Sequence, residues 1–130
     1  MNALTILAID SSARAASAAI LRDGQILGEF FVNAGLTHCE TLLPMIDDML
    51  RRCRMNIREI DCFAVSTGPG SFTGIRIGVC TVKGLAAPRG VPCIGVSTLE
   101  AAAMGMTDTE GIVCCVMDAR RGQFYNALFS

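Results

Sequence analysis

The chain has 130 residues, 52% of them apolar, and its 11 basic and 12 acidic side chains give a net charge of -1. That length suits one domain burying about two thirds of its unfolded surface, and the lack of a basic excess argues against direct tRNA or DNA binding. Seven cysteines without a C-x-x-C pair, and an amino terminus without lysine or arginine before Asp10, predict a reduced, cytoplasmic protein with no signal peptide and no membrane span.

The first third of the sequence predicts three strands in a meander. These are the apolar run Leu4 to Ile9, closed by Asp10-Ser11-Ser12, and the runs Ser17 to Leu21 and Gln25 to Val32, which flank the turn signal Asp23-Gly24. A helix follows, because Thr37-His38-Cys39-Glu40 has the spacing of a capping box. It should run to about Arg52, with two adjacent apolar stripes: Leu43, Ile46, Leu50 and Cys53 on one, and Leu42, Met45 and Met49 on the other.

A glycine-rich turn, Gly68-Pro69-Gly70-Ser71-Phe72-Thr73-Gly74, lies in the middle of the chain. The short apolar run Cys62 to Ser66 before it predicts a buried strand, and an apolar stripe at helical spacing follows it. Glycines in such a turn allow close approach of another backbone or of a phosphate, so the turn is either an anion cradle or a packing joint. It has neither the lysine of a P-loop nor the dinucleotide-binding glycine spacing, and we favour the packing joint.

The last third of the chain predicts one more strand and helix, followed by a partial repeat of the opening. Pro92 to Val96 forms the strand, and Ser97 or Thr98 caps the helix. Ile112 to Asp118 is again an apolar strand that ends in aspartate, and Gln123 to Phe129 supplies its neighbour. We therefore predict a first lobe over residues 1–110 and the opening strands of a truncated second lobe over residues 111–130.

These motifs resemble one bacterial family. The meander, the Asp10-Ser11-Ser12 corner and the glycine-rich turn with Ile75-Arg76-Ile77-Gly78 are similar to the TsaB (YeaZ) family, and Asp118 to Tyr125 resembles its second motif. The resemblance implies an α/β fold of the actin-like, sugar-kinase and chaperone-ATPase type (ASKHA, ribonuclease H-like). Such a lobe has a mixed five-stranded sheet with helices.

The resemblance also implies a role in tRNA threonylcarbamoyladenosine biosynthesis. Members of the family do not perform the transfer; they hold and activate TsaD, a paralogous catalytic subunit, in a heterodimer. A TsaE-like ATPase completes the larger complex, and the family forms homodimers when TsaD is missing. The tRNA would be contacted only indirectly. No cofactor would be required, although weak ATP or ADP binding remains open.

Catalytic residues of the TsaD kind are missing. The relative binds its metal through an H-x-x-x-H pair, in which the two imidazoles share one helical face. His38 is the only histidine of this chain, and Leu42 occupies the position four residues on. We therefore predict no catalytic residue and no metal site, and interpret His38 as a solvated or capping-region side chain. Cys39 beside it is interpreted as a core or boundary cysteine rather than a thiol nucleophile.

The strand ends supply candidate contacts for a nucleotide or anion. Asp10 occupies the position where actin-like ATPases place a carboxylate near magnesium, and an Asx turn is the structural alternative. The candidate contacts are Asp10, Ser11, Ser12, Gly68, Gly70, Ser71 and Asp118. An ATPase or kinase of the same superfamily is accordingly the alternative function.

The two longer predicted helices supply a candidate docking surface, because small residues allow close helix approach and large apolar ones fill the contact. The family uses the corresponding helices to bundle with TsaD or with a second copy. The candidate interface residues are Leu42, Met45, Ile46, Met49, Gly74, Arg76, Ile77, Gly78 and Thr81. The alternative is that these stripes face the chain's own sheet. For Arg76 a structural pair with a carboxylate is preferred over an interface contact.

Overall fold

The computed structural model describes residues 3–35 and 37–130, which form seven strands in two sheets and three α-helices. The strands are β1 (Thr5–Asp10), β2 (Ala16–Arg22), β3 (Gln25–Val32), β4 (Cys62–Gly68), β5 (Cys93–Ser97), β6 (Val113–Arg120) and β7 (Gln123–Phe129). The helices are α1 (His38–Arg52), α2 (Phe72–Ala86) and α3 (Thr98–Ala103). Every predicted strand and helix is present, with ends shifted by at most two residues.

The larger sheet is mixed, with strand order β3-β2-β1-β4-β5. β1, β2 and β3 form the predicted antiparallel meander, and β4 and β5 run parallel to β1. Both parallel connections contain a helix, as parallel strands require. The α/β fold with a mixed five-stranded sheet, which the family resemblance implied, is confirmed.

The core lies between the larger sheet and the pair α1 and α2. Side chains alternate along β1, so that Leu7 and Ile9 are buried under the helices while Ala8 lies half-buried on the opposite face. Phe63 of β4 and Met49 of α1 are fully buried in the same cluster. This layer holds α1 and α2 side by side and fixes which faces of the two helices remain outside.

The smaller sheet consists of β6 and β7, which pair antiparallel. Its principal contacts are with the short helix α3. The side chains of Val116, Phe124 and Leu128 are exposed on its outer face. The two strands predicted for the end of the chain therefore exist, whereas their assignment to a second lobe stays a prediction.

Two local predictions on the helices are confirmed. Glu40 accepts a hydrogen bond from the Thr37 backbone N–H at 3.1 Å, as in a capping box. Ser97 caps α3 by accepting a bond from the Glu100 N–H at 3.4 Å. Within residues 3–35 and 37–130, no helix has the length and hydropathy needed to cross a membrane.

Candidate functional site: a groove between two helices

A groove of about 450 Å³ runs along the outer surface between α1 and α2. Its walls are mainly apolar, and both helices contribute. The lining residues are His38, Cys39, Leu42 and Leu43 from α1, and Thr73, Arg76, Ile77, Cys80 and Thr81 from α2. An open, apolar groove between two helices can accept the apolar face of another helix.

The amino-terminal ends of α1 and α2 meet at His38. Its Nε2 lies 2.8 Å from the Ala13 carbonyl oxygen, to which it donates, and its ring packs against Gly74. The other ring nitrogen, Nδ1, is buried and has no partner among the described residues. Of the two interpretations of His38, the capping-region position is confirmed, because His38 is the first residue of α1, and the solvated side chain is wrong. The imidazole connects the corner after β1 to both helices and also lines the groove.

Four of the predicted interface residues lie inside the chain's own core. Leu42, Met45, Ile46 and Met49 are all between 0% and 5% exposed. The assignment of Met45, Ile46 and Met49 to a partner interface is therefore wrong, because the two stripes form a single wide apolar arc that packs against the sheet. Of these four, Leu42 alone also borders the groove.

Leu43, at the edge of that arc, is the aliphatic side chain of α1 that the groove exposes, with 53% of its surface accessible. Cys39 and Cys80, also exposed, face the groove from α1 and α2. The sequence pattern did not single out these three residues as interface residues. The sequence signal for Leu43 was its position at the edge of the α1 arc. Residues at the edge of an apolar arc lie at the boundary between the core and the surroundings.

Gly74 and Gly78 are buried by the corner after β1 and not by another helix. A Cβ on Gly74 would overlap the Ser11 carbonyl oxygen, and a Cβ on Gly78 would overlap the Ser11 hydroxyl oxygen. Their assignment to an interface with another protein is therefore wrong. These glycines let α2 lie directly on the end of β1.

Arg76, Ile77 and Thr81 line the groove, and their assignment to a partner interface stays a prediction. The guanidinium of Arg76 stacks over the Phe72 ring, 5.2 Å from its centroid. No carboxylate in residues 3–35 or 37–130 forms an ion pair with Arg76, so the preferred expectation of a structural pair is wrong. Thr81 donates its hydroxyl to the Ile77 carbonyl at 2.7 Å, which leaves mainly its methyl group for the groove.

The glycine-rich turn is built as a packing joint. The Ser71 N–H donates to the Ser12 carbonyl at 2.7 Å, and the Ser71 hydroxyl accepts a bond from the Gly74 N–H at 3.2 Å. Gly70 lies so close that a Cβ there would be 2.5 Å from the Ser12 carbonyl oxygen. The turn thus uses its polar groups to join two segments of the chain, and Ser71 serves as the cap of α2.

The candidate anion contacts are largely engaged within the chain. Ser11 and Ser12 are buried; Ser11 donates its hydroxyl to the Gly74 carbonyl at 2.7 Å and Ser12 donates both N–H and hydroxyl to Asp10. The prediction that these two serines contact an anion is wrong, and the Asx turn at Asp10 is present. Asp118 lies in the smaller sheet and accepts a bond from the Arg120 N–H at 2.7 Å. For Asp10, Gly68, Gly70 and Asp118 an anion contact stays a prediction.

A second, smaller cavity of about 190 Å³ opens on the face of the larger sheet away from α1 and α2. Its floor consists of small side chains, including Ala8, Ala19 and Ala64, and the carboxylates of Asp10 and Glu29 border it. Nothing in the sequence pattern singled it out. Within the described residues, no group of three histidine, cysteine, aspartate or glutamate side chains is placed to hold a metal ion.

Among the described residues, the side chains of Glu40 and Cys62 have shifted pKa values. The hydrogen bond from the Thr37 backbone N–H, supported by the Thr37 hydroxyl, lowers the pKa of Glu40. Burial, with smaller effects from Cys93 and Asp61, raises the pKa of the Cys62 thiol. A raised thiol pKa disfavours the thiolate, so Cys62 behaves as an apolar core residue and not as a nucleophile.

The fold places the chain in a structural class. An antiparallel meander continued by two parallel strands, with two helices covering one face, is the actin-like (ASKHA) lobe, and the solved structure of YeaZ from Pseudomonas aeruginosa matches it with a TM-score of 0.85 at 32% identity. The match covers 97% of this chain and 59% of that protein.

Sequence comparison gives the family. The profile described as "TsaD: tRNA N6-adenosine threonylcarbamoyltransferase" matches residues 32–129. The chain is 36% identical to the tRNA threonylcarbamoyladenosine biosynthesis protein TsaB of Bacillus subtilis (97% of this chain, 55% of that protein). It is 39% identical to TsaB of Escherichia coli (94% of this chain, 53% of that protein). The chain belongs to the TsaD family, in its TsaB (YeaZ) branch. It spans little more than half the length of these relatives.

Proposed function

We propose that this chain is a non-catalytic scaffold and activator subunit of the machinery that makes threonylcarbamoyladenosine beside the anticodon of tRNA. Its partner is the TsaD-like catalytic subunit, which it binds through the groove between α1 and α2. The single observation that carries the proposal is this open apolar groove in a chain whose only histidine, His38, is engaged in packing.

The likeness between partner and chain supports this mode of docking. A TsaD-like subunit matches the same family profile, so it has a lobe with corresponding helices. Two related lobes can therefore pair face to face about a pseudo-twofold axis, in a bundle of four helices. The same face would accept a second copy when the partner is missing, which gives the homodimer. A TsaE-like ATPase joins the larger complex, tRNA is contacted through the partner, and the assembly acts in the cytoplasm.

The chemistry of the chain supports a non-catalytic role. The chain has a single histidine, His38, so it lacks the H-x-x-x-H pair that holds the metal in the catalytic relative. An ATPase or kinase is less well supported, because Ser11, Ser12 and Ser71 direct their polar groups to the chain itself. We propose that the subunit requires no cofactor of its own. Turnover of magnesium-ATP by the isolated chain would favour the alternative.

Docking is tested by a charge in the groove. Leu43→Glu should weaken association with the host's TsaD-like subunit by about tenfold or more, because a carboxylate without a partner is costly to bury in an apolar interface. Co-elution in size-exclusion chromatography and calorimetric titration measure the effect. Leu43 is 53% exposed, so the variant should fold normally, and a urea unfolding curve checks this.

The matched control is Leu4→Glu. Leu4 is the same residue type, 54% exposed, and lies outside the groove. This variant should bind as the unaltered chain does. If Leu43→Glu also binds normally, the groove is not the docking surface; if the unaltered chain shows no association at all, the scaffold role itself is refuted.

A further inference from the structure

The groove between α1 and α2 carries one charged lining residue among those described, and its charge is positive. Arg76 is that residue, and the rest of the lining is apolar or neutral apart from the His38 ring. Glu40, the acidic residue in the first turn of α1, does not line the groove. Its carboxylate already accepts hydrogen bonds from the Thr37 N–H and hydroxyl. The groove therefore contains a cation with no anion of the chain to match it.

The structure holds this cation in an orientation suited to binding. Arg76 and Phe72 are one helical turn apart on α2, and the guanidinium stacks on the exposed face of the ring at 5.2 Å from its centroid. Contact with the ring restricts the arginine side chain, and among the described residues its N–H donors take part in no ion pair. A planar fork of N–H donors matches a carboxylate, which can accept two parallel hydrogen bonds.

The surroundings favour an anion at this point. The amino-terminal ends of α1 and α2 meet beside it, at the contact between His38 and Gly74, so the positive ends of both helix dipoles lie at this end of the groove. Farther along, the walls are formed by Leu43, Ile77 and Cys80. The groove thus has a positive end and an apolar remainder.

We propose that the occupant of the groove is a helix of the TsaD-like subunit that places an aspartate or glutamate against Arg76 and aliphatic or small residues against the rest. This inference rests on the proposed function and specifies the partner's chemistry. The carboxylate would set the register and direction of the docked helix, because the groove offers one cationic position and a largely uniform apolar wall.

The test measures affinity for the host's TsaD-like subunit by calorimetry at low and at high salt. Arg76→Met keeps the aliphatic stem and removes the charge; it should weaken binding about tenfold and reduce the salt dependence. Arg76→Lys should restore the salt dependence but only part of the affinity, because it lacks the planar fork. Lys83→Met, on the same helix but outside the groove lining, is the matched control. It should change neither the affinity nor its salt dependence.

A charge exchange identifies the acid. With Arg76→Glu in this chain, the exposed aspartates and glutamates of the partner's corresponding helices are changed to arginine one at a time, and one of these changes should restore binding. If Arg76→Met binds as tightly as the unaltered chain, with the same salt dependence, the acidic contact is refuted while docking stands. If the unaltered chain does not bind, the proposed function fails and this inference fails with it.

Discussion

The absence of a Cβ atom at two glycines allows α2 to approach the end of β1 closely. Gly74 and Gly78 lie against the backbone and hydroxyl oxygens of Ser11, with no space for a Cβ. Gly84, on the same helix, has open space around the position where a Cβ would be. Two of these helical glycines are therefore required by packing, and the third lowers the stability of the helix without such a reason.

This difference predicts opposite effects for the same substitution. Gly74→Ala should lower the free energy of unfolding by about 1–3 kcal/mol, since the Ser11 carbonyl oxygen belongs to the backbone and cannot move aside cheaply. Gly84→Ala should raise it by roughly 0.5–1 kcal/mol through helix propensity alone. Urea unfolding of both variants measures the two changes. A Gly74→Ala variant as stable as the unaltered chain would contradict the close packing.

At the scale of the element, the capping box fixes where α1 begins and so where the groove begins. Glu40 holds the Thr37 backbone N–H, which the helix itself leaves without a partner. The bond lowers the pKa of Glu40 below its ordinary value of 4.5, so the ionised form is favoured in the folded state. A carboxylate with a lowered pKa stabilises the fold at a pH above its unfolded pKa, and this contribution is lost as the pH falls through the folded pKa.

The cap therefore has a testable pH dependence. Glu40→Gln should be less stable than the unaltered chain at neutral pH. The difference in the free energy of unfolding should narrow as the pH falls below about 4.5, the ordinary pKa, and should vanish once the pH has passed the lowered pKa of the native carboxyl. Urea unfolding over this pH range measures it. Glu110→Gln is the control, since Glu110 is exposed and takes part in no hydrogen bond among the described residues. If the stability difference between Glu40→Gln and the unaltered chain does not change with pH, the Glu40 carboxylate does not act as an ionised cap.

At the scale of the whole molecule, the two sheets differ in how they are supported. The larger sheet is covered on one face by two helices of 15 residues each, whereas the β6–β7 sheet packs mainly on the six-residue α3. Its outer face leaves Val116 60% and Leu128 68% exposed. A two-stranded sheet with one face in water has little burial to stabilise it.

Amide hydrogen exchange should separate the two sheets. Amides of β6 and β7 should exchange at least about tenfold faster than those of β1 and β4, because local opening costs less where fewer apolar contacts are lost. Mass spectrometry of peptides from each strand measures this in the unaltered chain. Equal protection of both sheets would show that β6 and β7 unfold only with the rest of the molecule.

Several features were predictable because their causes are local in the chain. The Asp23-Gly24 turn, the capping box at Thr37 and the strand-turn-helix around Gly70 depend on residues a few positions apart, and all were found as predicted. The role of the glycine-rich turn as a packing joint rather than an anion cradle was also largely predictable, because the turn lacks the lysine of a P-loop. The contacts between Gly74 and Ser11 could not be predicted, because these residues are 63 positions apart in the chain.

The sequence by itself determined the order of strands and helices, the family and the missing second imidazole, because each of these depends on residue identity and spacing. Only the tertiary structure decided which face of α1 is outside, that Met49 is core and Leu43 surface, and that Arg76 stands in the groove without an anion of its own. The reason is physical: helical periodicity states which residues share a face, whereas the neighbour that buries the face comes from a distant part of the chain.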